Sequence, residues 1–343
     1  MKLNRGQDEA IKHGNGPCMV LAPPGSGKTL IVTERTRYLI EESGVRPDQI
    51  LVITFTRYAA REMKERFERL TAGKKYPVTF GTFHSIFYGI LKCAYGIGAN
   101  NLMSEKESSV LLQEVLDQTD IESTVEDEEE LVRELLREVG MVKNGLCHLK
   151  DFHSKYLTQD EFAEVFRSYE HQKKELKKFD FDDMLVQCYA LFRKKPEILQ
   201  GWQKRFQYIL IDEFQDINRV QYEVIRMLAA PRYNLFVVGD DDQSIYGFRG
   251  AKPELMLYMK QEFPSLRTIS LTVNYRSTEF ITGAAARVIL HNDTRFYKRV
   301  QSFRGRGQNV HVQEVLDELG DALPEDSVEE IKEIMSDLEG NMN

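Results

Sequence analysis

Residues 18 to 29 read CMVLAPPGSGKT, an apolar run followed by a glycine-rich turn and then by a helical pattern that continues to Ile40. The apolar run predicts a buried strand, and Gly25 and Gly27 predict a tight turn. Such a turn leaves backbone N–H groups at the N-terminus of a helix, where they favour a bound phosphate. The stretch therefore predicts an α/β fold with a phosphate site where a strand ends and a helix begins.

Ala22 stands where the spacing G-x-x-x-x-G-K-[ST] has its first glycine. An alanine is tolerated there if the position ends the strand with an ordinary backbone conformation, because the glycines nearest the phosphate are kept. Lys28 would then reach the β- and γ-phosphates of a nucleotide, and Thr29 would hold Mg²⁺. The predicted nucleotide-binding loop comprises Ala22, Pro23, Pro24, Gly25, Ser26, Gly27, Lys28, Thr29 and Leu30.

Four further apolar runs have strand character, and helical patterns separate them. They lie at residues 50–55, 208–212, 234–239 and 268–273, and they are nearly continuous rather than alternating. Continuous apolar strands are typical of a parallel sheet that is covered on both faces. The sequence therefore predicts a doubly wound α/β fold of the P-loop NTPase type.

The composition and the hydrophobic pattern of the chain change between residues 87 and 178, where long helical patterns are rich in Glu, Lys and Leu. The clearest of these patterns cover residues 105–117 and 126–139. They predict an all-helical subdomain inserted between two sheet-forming halves. The end of the chain predicts a strand at 309–316 and an amphipathic helix at 326–339.

Carboxylates and an amide follow two of the predicted strands. In YILIDEFQD, Asp212 is a candidate Mg²⁺ ligand and Glu213 a candidate base that polarises the attacking water. A plain polar strand end is the alternative for this acid pair. In VVGDDDQSIYGFRGA, Gln243 is placed to sense a γ-phosphate.

The later motif NYRST offers an aromatic ring and a fixed positive charge. Tyr275 is a candidate to stack on a base. Arg276 is a candidate to stabilise charge on a transferring phosphoryl group. Lys28, Asp212, Glu213, Gln243 and Arg276 together form the predicted catalytic set, with Thr29 and Asp212 as the predicted metal ligands.

The net charge of −8 argues at first against a nucleic-acid partner. However, residues 313–343 carry eleven acids and one base, so the first 312 residues sum to about +2 and leave room for a basic groove. The four cysteines (Cys18, Cys93, Cys147 and Cys188) are scattered and predict no structural metal site. The chain has neither a secretory signal nor an apolar run of membrane-spanning length, so we expect a cytoplasmic protein without membrane contact.

In this order, DEFQD, GDDDQSIYGFRGA and NYRST resemble the motifs of the UvrD/Rep/PcrA-type superfamily 1 DNA helicases, and the similarity begins at LNRGQ near the N-terminus. The resemblance implies a DNA-dependent ATPase that uses ATP and Mg²⁺ to move 3′ to 5′ on single-stranded DNA. It further implies that Gln7 reads the adenine edge, while Arg35 and Tyr275 sandwich the ring.

The resemblance also implies a path for single-stranded DNA. The family places its TFT and GTFHS stretches along the DNA, and the aromatics of the third motif stack on bases. Stacking on any base suits a motor that does not read sequence. The DNA-contacting residues expected here are Phe55, Thr56, Arg57, Thr82, His84, Tyr246, Phe248 and Arg249.

Several positions depart from the family pattern. Phe248 stands where these helicases often have tryptophan, Pro23 replaces a common glycine, and Arg57 and Tyr58 occupy positions that usually hold asparagine and lysine. We expect these changes to adjust affinity without removing the chemistry. For Phe55, a role in the core of the sheet is the alternative. For the charged segment 57–70, an ordinary solvated helix face is the alternative.

The family resemblance implies a RecA-like fold with this domain organisation: an ATP-binding lobe at 1–86 and 179–273, a helical insertion at 87–178 and the beginning of a second lobe at 274–343. Nothing after Ser277 matches the further motifs of a second lobe. We therefore expect a catalytically incomplete chain without unwinding activity of its own, whose partners are single-stranded DNA and either a missing second lobe or a protein partner. A nucleotide-dependent module that docks a partner without motor activity is the main alternative, and a P-loop ATPase or kinase unrelated to nucleic acid is a further one.

Overall fold

The centre of the structure, a computed structural model, is a six-stranded sheet in which all paired strands are parallel. The structure describes residues 3–119, 127–247, 250–292 and 295–310. The strand order is β3-β2-β4-β5-β1-β6. The strands are β1 (Cys18–Leu21), β2 (Ile50–Thr54), β3 (Thr79–Thr82), β4 (Tyr208–Ile211), β5 (Leu235–Gly239) and β6 (Arg267–Ser270). The predicted α/β class is confirmed.

Burial explains why the apolar runs form the interior of the sheet. Every residue of β1, β2 and β5 is buried, as expected for strands that are covered on both faces. Strand β3 was not predicted, because its sequence TFGT is short and contains a glycine. It forms the edge of the sheet next to β2.

Twelve α-helices lie within the described ranges. They are α1 (Arg5–Ile11), α2 (Lys28–Glu41), α3 (Arg57–Leu70), α4 (Phe83–Tyr95), α5 (Glu105–Asp117), α6 (Glu128–Gly145), α7 (Gln159–Glu175), α8 (Phe181–Lys194), α9 (Pro196–Arg205), α10 (Arg219–Ala229), α11 (Glu254–Glu262) and α12 (Glu279–Ile289). The helical patterns predicted at 105–117 and 126–139 correspond to α5 and to most of α6. The predicted helix 326–339 and nearly all of the predicted strand 309–316 lie outside the described residues.

Three apolar clusters organise the packing. One lies between one face of the sheet and helices α4, α8, α10 and α11, and the second covers the other face with α2 and α3. The third belongs mainly to α5, α6 and α7 and is separate from the sheet. Because Phe87, Ile90 and Leu91 of α4 pack in the first cluster, the predicted boundary at residues 86–87 falls inside a helix of the sheet layer.

A buried charge cluster joins the helices of the third apolar cluster to α8. The ammonium groups of Lys143 and Lys173 lie 2.8 and 2.7 Å from Asp180, and both also contact Asp183. Burial opposes ionisation of Asp180, but the two lysines outweigh it and hold the pKa of Asp180 below its usual range. Asp180 and Asp183 form the capping box of α8, so the cluster fixes where that helix begins, next to Phe181.

The chain after β6 forms a small two-stranded parallel sheet, β7 (Val273–Asn274) and β8 (Gln301–Ser302), with α12 between the strands in sequence. No residue of α12 is buried. Among the described helices, none combines the length and the apolarity that are needed to cross a bilayer.

Candidate functional site

Three neighbouring strands place four of the five predicted catalytic residues at one edge of the sheet, and Arg276 follows β7 instead. Strands β4, β5 and β1 are adjacent and parallel, so their carboxyl ends lie side by side. β1 leads into the predicted phosphate loop, β4 into Asp212 and Glu213, and β5 into Asp240 to Gln243. The carboxyl edge of a parallel sheet is where such folds place ligands.

Gly25 and Gly27 of the phosphate loop have backbone conformations that favour glycine. Gly25 has φ +69° and Gly27, the N-cap of α2, has φ +96°. A Cβ atom on Gly25 would lie 2.6 Å from both the Cβ of Arg276 and the Oδ1 of Asn274. The loop therefore passes directly against the NYRST segment, and this contact leaves no space for a side chain.

Ala22 meets the condition under which an alanine is tolerated. It is fully buried at the end of β1, it is absent from the residues with left-handed backbone, and its N–H donates to the carbonyl oxygen of Gly239 at 2.9 Å. The turn itself is closed by Ser26, whose hydroxyl donates to the carbonyl oxygen of Pro23 at 2.6 Å. The missing first glycine therefore does not distort the loop.

Lys28 brings three of the predicted catalytic residues together. Its ammonium group donates to the Gln243 amide oxygen at 3.0 Å and lies 3.1 Å from a Glu213 carboxylate oxygen. The Lys28 side chain is only 11% exposed, so it holds a charge in a partly desolvated place. The phosphate loop, the acid pair and the loop after β5 thus converge on one lysine.

Asp212 has an environment that suits a cation ligand. Burial, and then the neighbouring Glu213 carboxylate, raise the pKa of Asp212 to about 7, although Lys28 opposes the shift. A cation bound to this carboxylate would offset its desolvation. The Thr29 hydroxyl and the Asp212 carboxylate are both oxygen donors, the kind that Mg²⁺ prefers, so the residues present fit this ion.

Gln215, which the sequence analysis did not single out, orients Glu213. Its amide nitrogen donates to a Glu213 carboxylate oxygen at 2.8 Å, and its amide oxygen accepts the N–H of Asp240 at 3.0 Å. Glu213 itself has φ +51°, which is unusual for a residue other than glycine. The bonds through Gln215 tie this strained position to the loop after β5. The motif DEFQD contains this glutamine, but its spacing alone does not reveal the bridge.

Tyr275 and Gln7 are both hydrogen-bonded to the phosphate loop. The backbone N–H of Tyr275 donates to the Gly25 carbonyl oxygen at 2.9 Å, and its hydroxyl accepts from the Asn4 side chain at 2.9 Å. The buried amide of Gln7 donates to the Ser26 carbonyl oxygen at 2.9 Å. These hydrogen bonds therefore join the N-terminal helix, the loop and the NYRST segment.

The prediction that Arg35 stacks on a base is wrong in this structure. The Arg35 guanidinium is buried, donates to the carbonyl oxygens of Ile11, His13 and Gly14, and lies over the Phe236 ring with 4.5 Å between its Cζ and the ring centroid. Burial lowers the pKa of Arg35 to about 10. Because the guanidinium is buried, neither of its faces is open to a purine. Its hydrogen bonds instead attach the α1–β1 connection to α2.

Arg276 is exposed, and its guanidinium makes no ion pair with any residue that the structure describes. Its backbone N–H donates to the Asn274 side-chain oxygen at 2.7 Å, and its Cβ would touch any side chain at position 25. The backbone and Cβ of Arg276 are therefore fixed beside the phosphate loop, and the charged side chain extends from there.

Two of the predicted DNA-contacting aromatics stack on each other. The rings of Phe55 and Tyr246 lie 4.8 Å apart between centroids with an interplanar angle of 29°. Phe55 follows β2 and is partly exposed, so it is not a core residue of the sheet. Phe248 and Arg249 lie outside the described residues.

A basic groove of about 540 Å³ lies at the edge of the sheet, next to β3. Its lining includes Arg57, Arg61, Lys64, Thr82, His84 and Phe181. The Thr82 hydroxyl caps α4 by accepting the Ser85 N–H at 3.2 Å, while Thr56 caps α3 in the same way from Ala59 at 3.1 Å. Both predicted DNA-contacting threonines thus begin helices that border the groove.

Phe181 is a candidate nucleic-acid contact that the sequence analysis missed. It is 40% exposed at the start of α8, and its ring packs edge-on against His84 with 5.7 Å between centroids. An exposed phenylalanine beside three cations is an expected feature of a surface that binds single strands. The only signal in the sequence is an aromatic between capping acids, in DFDD at 180–183.

A parallel sheet with a phosphate loop after β1, paired acids after β4 and a polar loop after β5 defines a P-loop nucleotide-binding protein with a RecA-like domain. The profile of the UvrD/REP helicase N-terminal domain matches residues 3–264. The chain therefore belongs to the UvrD/Rep helicase family.

Individual relatives agree with this family. YjcD of Bacillus subtilis (strain 168) is 41% identical over 308 residues, which cover 88% of this chain and 40% of the relative. The ATP-dependent DNA helicase PcrA of Staphylococcus aureus (strain Mu50 / ATCC 700699) is 36% identical over 93% of this chain and 44% of the relative. The ATP-dependent DNA helicase Rep of Escherichia coli (strain K12) is 37% identical over 91% of this chain and 47% of the relative. The chain thus spans less than half the length of each of these relatives.

Proposed function

We propose that this chain is the ATP-binding part of an ATP-dependent DNA helicase, in which ATP hydrolysis drives movement on single-stranded DNA from 3′ to 5′. The observation that carries the proposal is the contact of Lys28 with both Glu213 and Gln243, because it assembles a phosphate-binding cation, a base and a γ-phosphate sensor at one point. The direction of movement rests on the family resemblance alone.

In the proposed chemistry, Lys28 and the N–H groups of the phosphate loop bind the β- and γ-phosphates. Thr29 and Asp212 would hold Mg²⁺, which would neutralise charge on the phosphates when bound. Glu213, held by Gln215, accepts a proton from the attacking water. Arg276 donates to the phosphoryl group as its charge develops in the transition state.

For the base of the nucleotide, we propose that Tyr275 supplies one stacking face and that Gln7 supplies hydrogen bonds to the edge. The Asn4–Tyr275 bond supports the stacking assignment, because it fixes the Tyr275 hydroxyl beside the start of α1. The Gln7 amide lies at the phosphate loop, where its nitrogen donates to Ser26 and its oxygen accepts the Asn4 N–H at 3.1 Å, so it would exchange one of these bonds for the edge of the base. Arg35 has no part in it, since its guanidinium is occupied by carbonyl oxygens.

For DNA, we propose that a single strand crosses the Phe55–Tyr246 pair and the basic groove. Aromatic rings accept any base, and Arg57, Arg61 and Lys64 would contact phosphates without reading sequence. Thr56, Thr82, His84 and Phe181 border this path, and Phe248 and Arg249 are proposed to extend it. The path lies next to the ends of β2 and β5, so DNA binding and ATP chemistry share one edge of the sheet.

We further propose the division into an ATP-binding lobe, a helical insertion and the opening of a second lobe. The separate apolar cluster of α5, α6 and α7 supports the insertion, and we propose that it begins after α4 rather than at residue 87, because α4 packs against the sheet. The chain alone is expected to bind nucleotide, Mg²⁺ and single strands, but to hydrolyse ATP slowly and to unwind no duplex. Robust unwinding by the purified 343 residues would overturn that expectation.

The test is steady-state ATP hydrolysis with and without single-stranded DNA, at two salt concentrations. Stimulation by DNA that falls as salt rises supports the helicase assignment, because phosphate contacts release counterions. Hydrolysis that DNA does not change favours a nucleotide-dependent module that docks a partner. Glu213→Gln should retain ATP binding and lose turnover, and unchanged turnover in that variant would refute the role of Glu213.

A further inference from the structure

A lysine from the chain beyond β6 lies inside the loop that carries Gln243. The ammonium group of Lys298 contacts carboxylate oxygens of Asp240 and Asp241 and lies 2.7 Å from that of Asp242. The Lys298 side chain is 3% exposed and that of Asp240 is 1% exposed. Lys298 lies outside residues 3–264, the part that matches the family profile.

The position of Lys298 is fixed by neighbouring contacts of the same segment. The Arg295 guanidinium donates to Asp242 at 2.9 Å, and the Phe296 N–H donates to Asp241 at 2.7 Å. Burial opposes the charge on Lys298, but Asp240 and the bonds to the three carboxylates outweigh it and raise the pKa of Lys298. The lysine thus remains charged and, together with Arg295, offsets part of the negative charge of three consecutive acids.

A continuous chain of polar contacts leads from Lys298 to the phosphate loop. One Asp240 oxygen accepts from Lys298, and the other accepts from the side-chain amide nitrogen of Gln243. Because that nitrogen is directed at Asp240, the Gln243 amide oxygen points the other way, to the Lys28 ammonium group at 3.0 Å. The amide orientation of Gln243 therefore depends on the carboxylate that Lys298 holds.

We propose that Lys298 is a positioning residue for the γ-phosphate: it holds Asp240, which orients the Gln243 amide beside Lys28. The proposal rests on the proposed function, in which Gln243 senses the γ-phosphate. It makes the state of the phosphate site depend on residues 295–298, a segment that belongs to the proposed opening of the second lobe. The site would thus communicate with that lobe through a direct ionic contact.

The test compares equilibrium binding of ADP and of a non-hydrolysable ATP analogue to the full chain carrying Lys298→Met. We expect the dissociation constant for the ATP analogue to rise about tenfold, while that for ADP stays within about twofold, because only ATP presents a γ-phosphate to Gln243. A loss of general stability would weaken both nucleotides alike. Lys298→Arg should restore most of the discrimination, since it keeps the charge.

Arg299→Ala is the matched control, because it removes the same charge from the adjacent, exposed position. It should leave both dissociation constants unchanged. If Lys298→Met proves unstable, the milder Lys298→Gln tests the same contact at a temperature where thermal unfolding shows it to be folded. Equal ATP-to-ADP discrimination in the folded variant and the wild type would overturn the proposal.

A second comparison separates orientation of Gln243 from a simple change of charge. In a Gln243→Ala background, Lys298→Met should have no further effect on the ATP-to-ADP ratio. A further tenfold loss in that background would mean that Lys298 acts without Gln243, and would overturn the positioning role. If the wild-type chain binds no ATP at all, the proposed function fails instead, so the two failures are distinguishable.

Discussion

The Nζ atom of Lys28 lies 3.1 Å from a carboxylate oxygen of Glu213. This contact pairs the cation that should bind phosphate with the acid that should activate water. Lys28→Ala should raise the dissociation constant for ATP by about 30- to 1,000-fold, because it removes a partly buried charged partner, typically a loss of about 2–4 kcal/mol. Titration with a fluorescent ATP analogue measures the loss.

A matched control for Lys28 is Lys194→Ala, an exposed lysine at the end of α8. It removes the same charge from the chain and should leave ATP affinity unchanged. Wild-type affinity in Lys28→Ala would show that the loop does not bind phosphates through this lysine.

The buried carboxyl of Asp212 predicts a pH dependence of stability. Its pKa is about 7 in the fold against 3.8 as the ordinary value, so the fold favours the protonated form. The carboxyl is neutral in both states below about pH 4, and the unfolding free energy should therefore fall as pH rises from about 4 to about 7. Because asparagine cannot ionise, the unfolding free energy of Asp212→Asn should exceed that of the wild type by on the order of 2–4 kcal/mol above pH 7.

Thermal unfolding of wild type and Asp212→Asn at pH 5 and pH 8, without divalent ions, checks this expectation. The variant should be the more stable protein at both pH values, and its advantage should be smaller at pH 5, because only about one of the three pH units between 3.8 and 7 has been crossed there. It should also lose Mg²⁺-dependent ATP binding. Asp48→Asn is the control, because its exposed carboxyl has its pKa lowered by Arg46 and should not reproduce the gain at pH 8. If Asp212→Asn were less stable than the wild type at pH 8, the ionised Asp212 carboxylate would not destabilise the fold, and the raised pKa would be contradicted.

The sequence was sufficient for the sheet strands with long apolar runs and for the motifs at their ends. Strand β3 could not be predicted, because TFGT has neither an apolar run nor alternation, and only its pairing with β2 makes it a strand. The bridge through Gln215 and the contact of Lys298 with Asp240 join residues that are 25 and 58 positions apart in the chain. Such pairings depend on which strands are neighbours, and periodicity does not contain that information.

Arg35 shows a different kind of error, because the helical period did contain the answer. On α2, the buried residues Ile31, Arg35 and Leu39 are spaced four apart and share one face of the helix. An arginine on an apolar stripe has to find acceptors inside the protein. The resemblance to a helicase family suggested a base-stacking role, whereas the stripe indicated burial.

The stack of Phe55 on Tyr246 predicts a sequence-independent contribution to DNA affinity. Phe55→Ala should weaken binding of an oligothymidine strand by about 1–3 kcal/mol, since it removes one stacking surface. Fluorescence anisotropy with a labelled oligonucleotide measures the change. Tyr95→Ala, which removes an aromatic that is 57% exposed at the end of α4, is the control and should have no effect. Equal weakening by the two variants would argue against a specific stacking site.

The basic groove predicts a change in salt dependence. Replacing Arg61 and Lys64 by alanine should reduce the slope of log affinity against log salt by about 1.4, because each lost phosphate contact contributes about 0.7 for a single strand. The same anisotropy titration at four salt concentrations gives the slope. Alanine at Arg66 and Arg69, on the same helix but outside the groove lining, removes equal charge and should leave the slope nearly unchanged. Equal slope changes in the two double variants would mean that only net charge matters.

The contacts of Arg35 predict a structural effect without a loss of nucleotide recognition. Arg35→Met should lower the unfolding free energy by about 2–4 kcal/mol, because the carbonyl oxygens of Ile11, His13 and Gly14 lose buried donors. At a temperature where the variant is folded, its ATP affinity should stay within about threefold of wild type.

Tyr275→Ala is the opposite case and should weaken ATP binding with little change in stability, because Tyr275 is the ring proposed to stack on the base. Chemical denaturation and ATP titration on both variants give the comparison. A stable Arg35→Met that binds ATP poorly would restore Arg35 to the nucleotide site and refute the structural role.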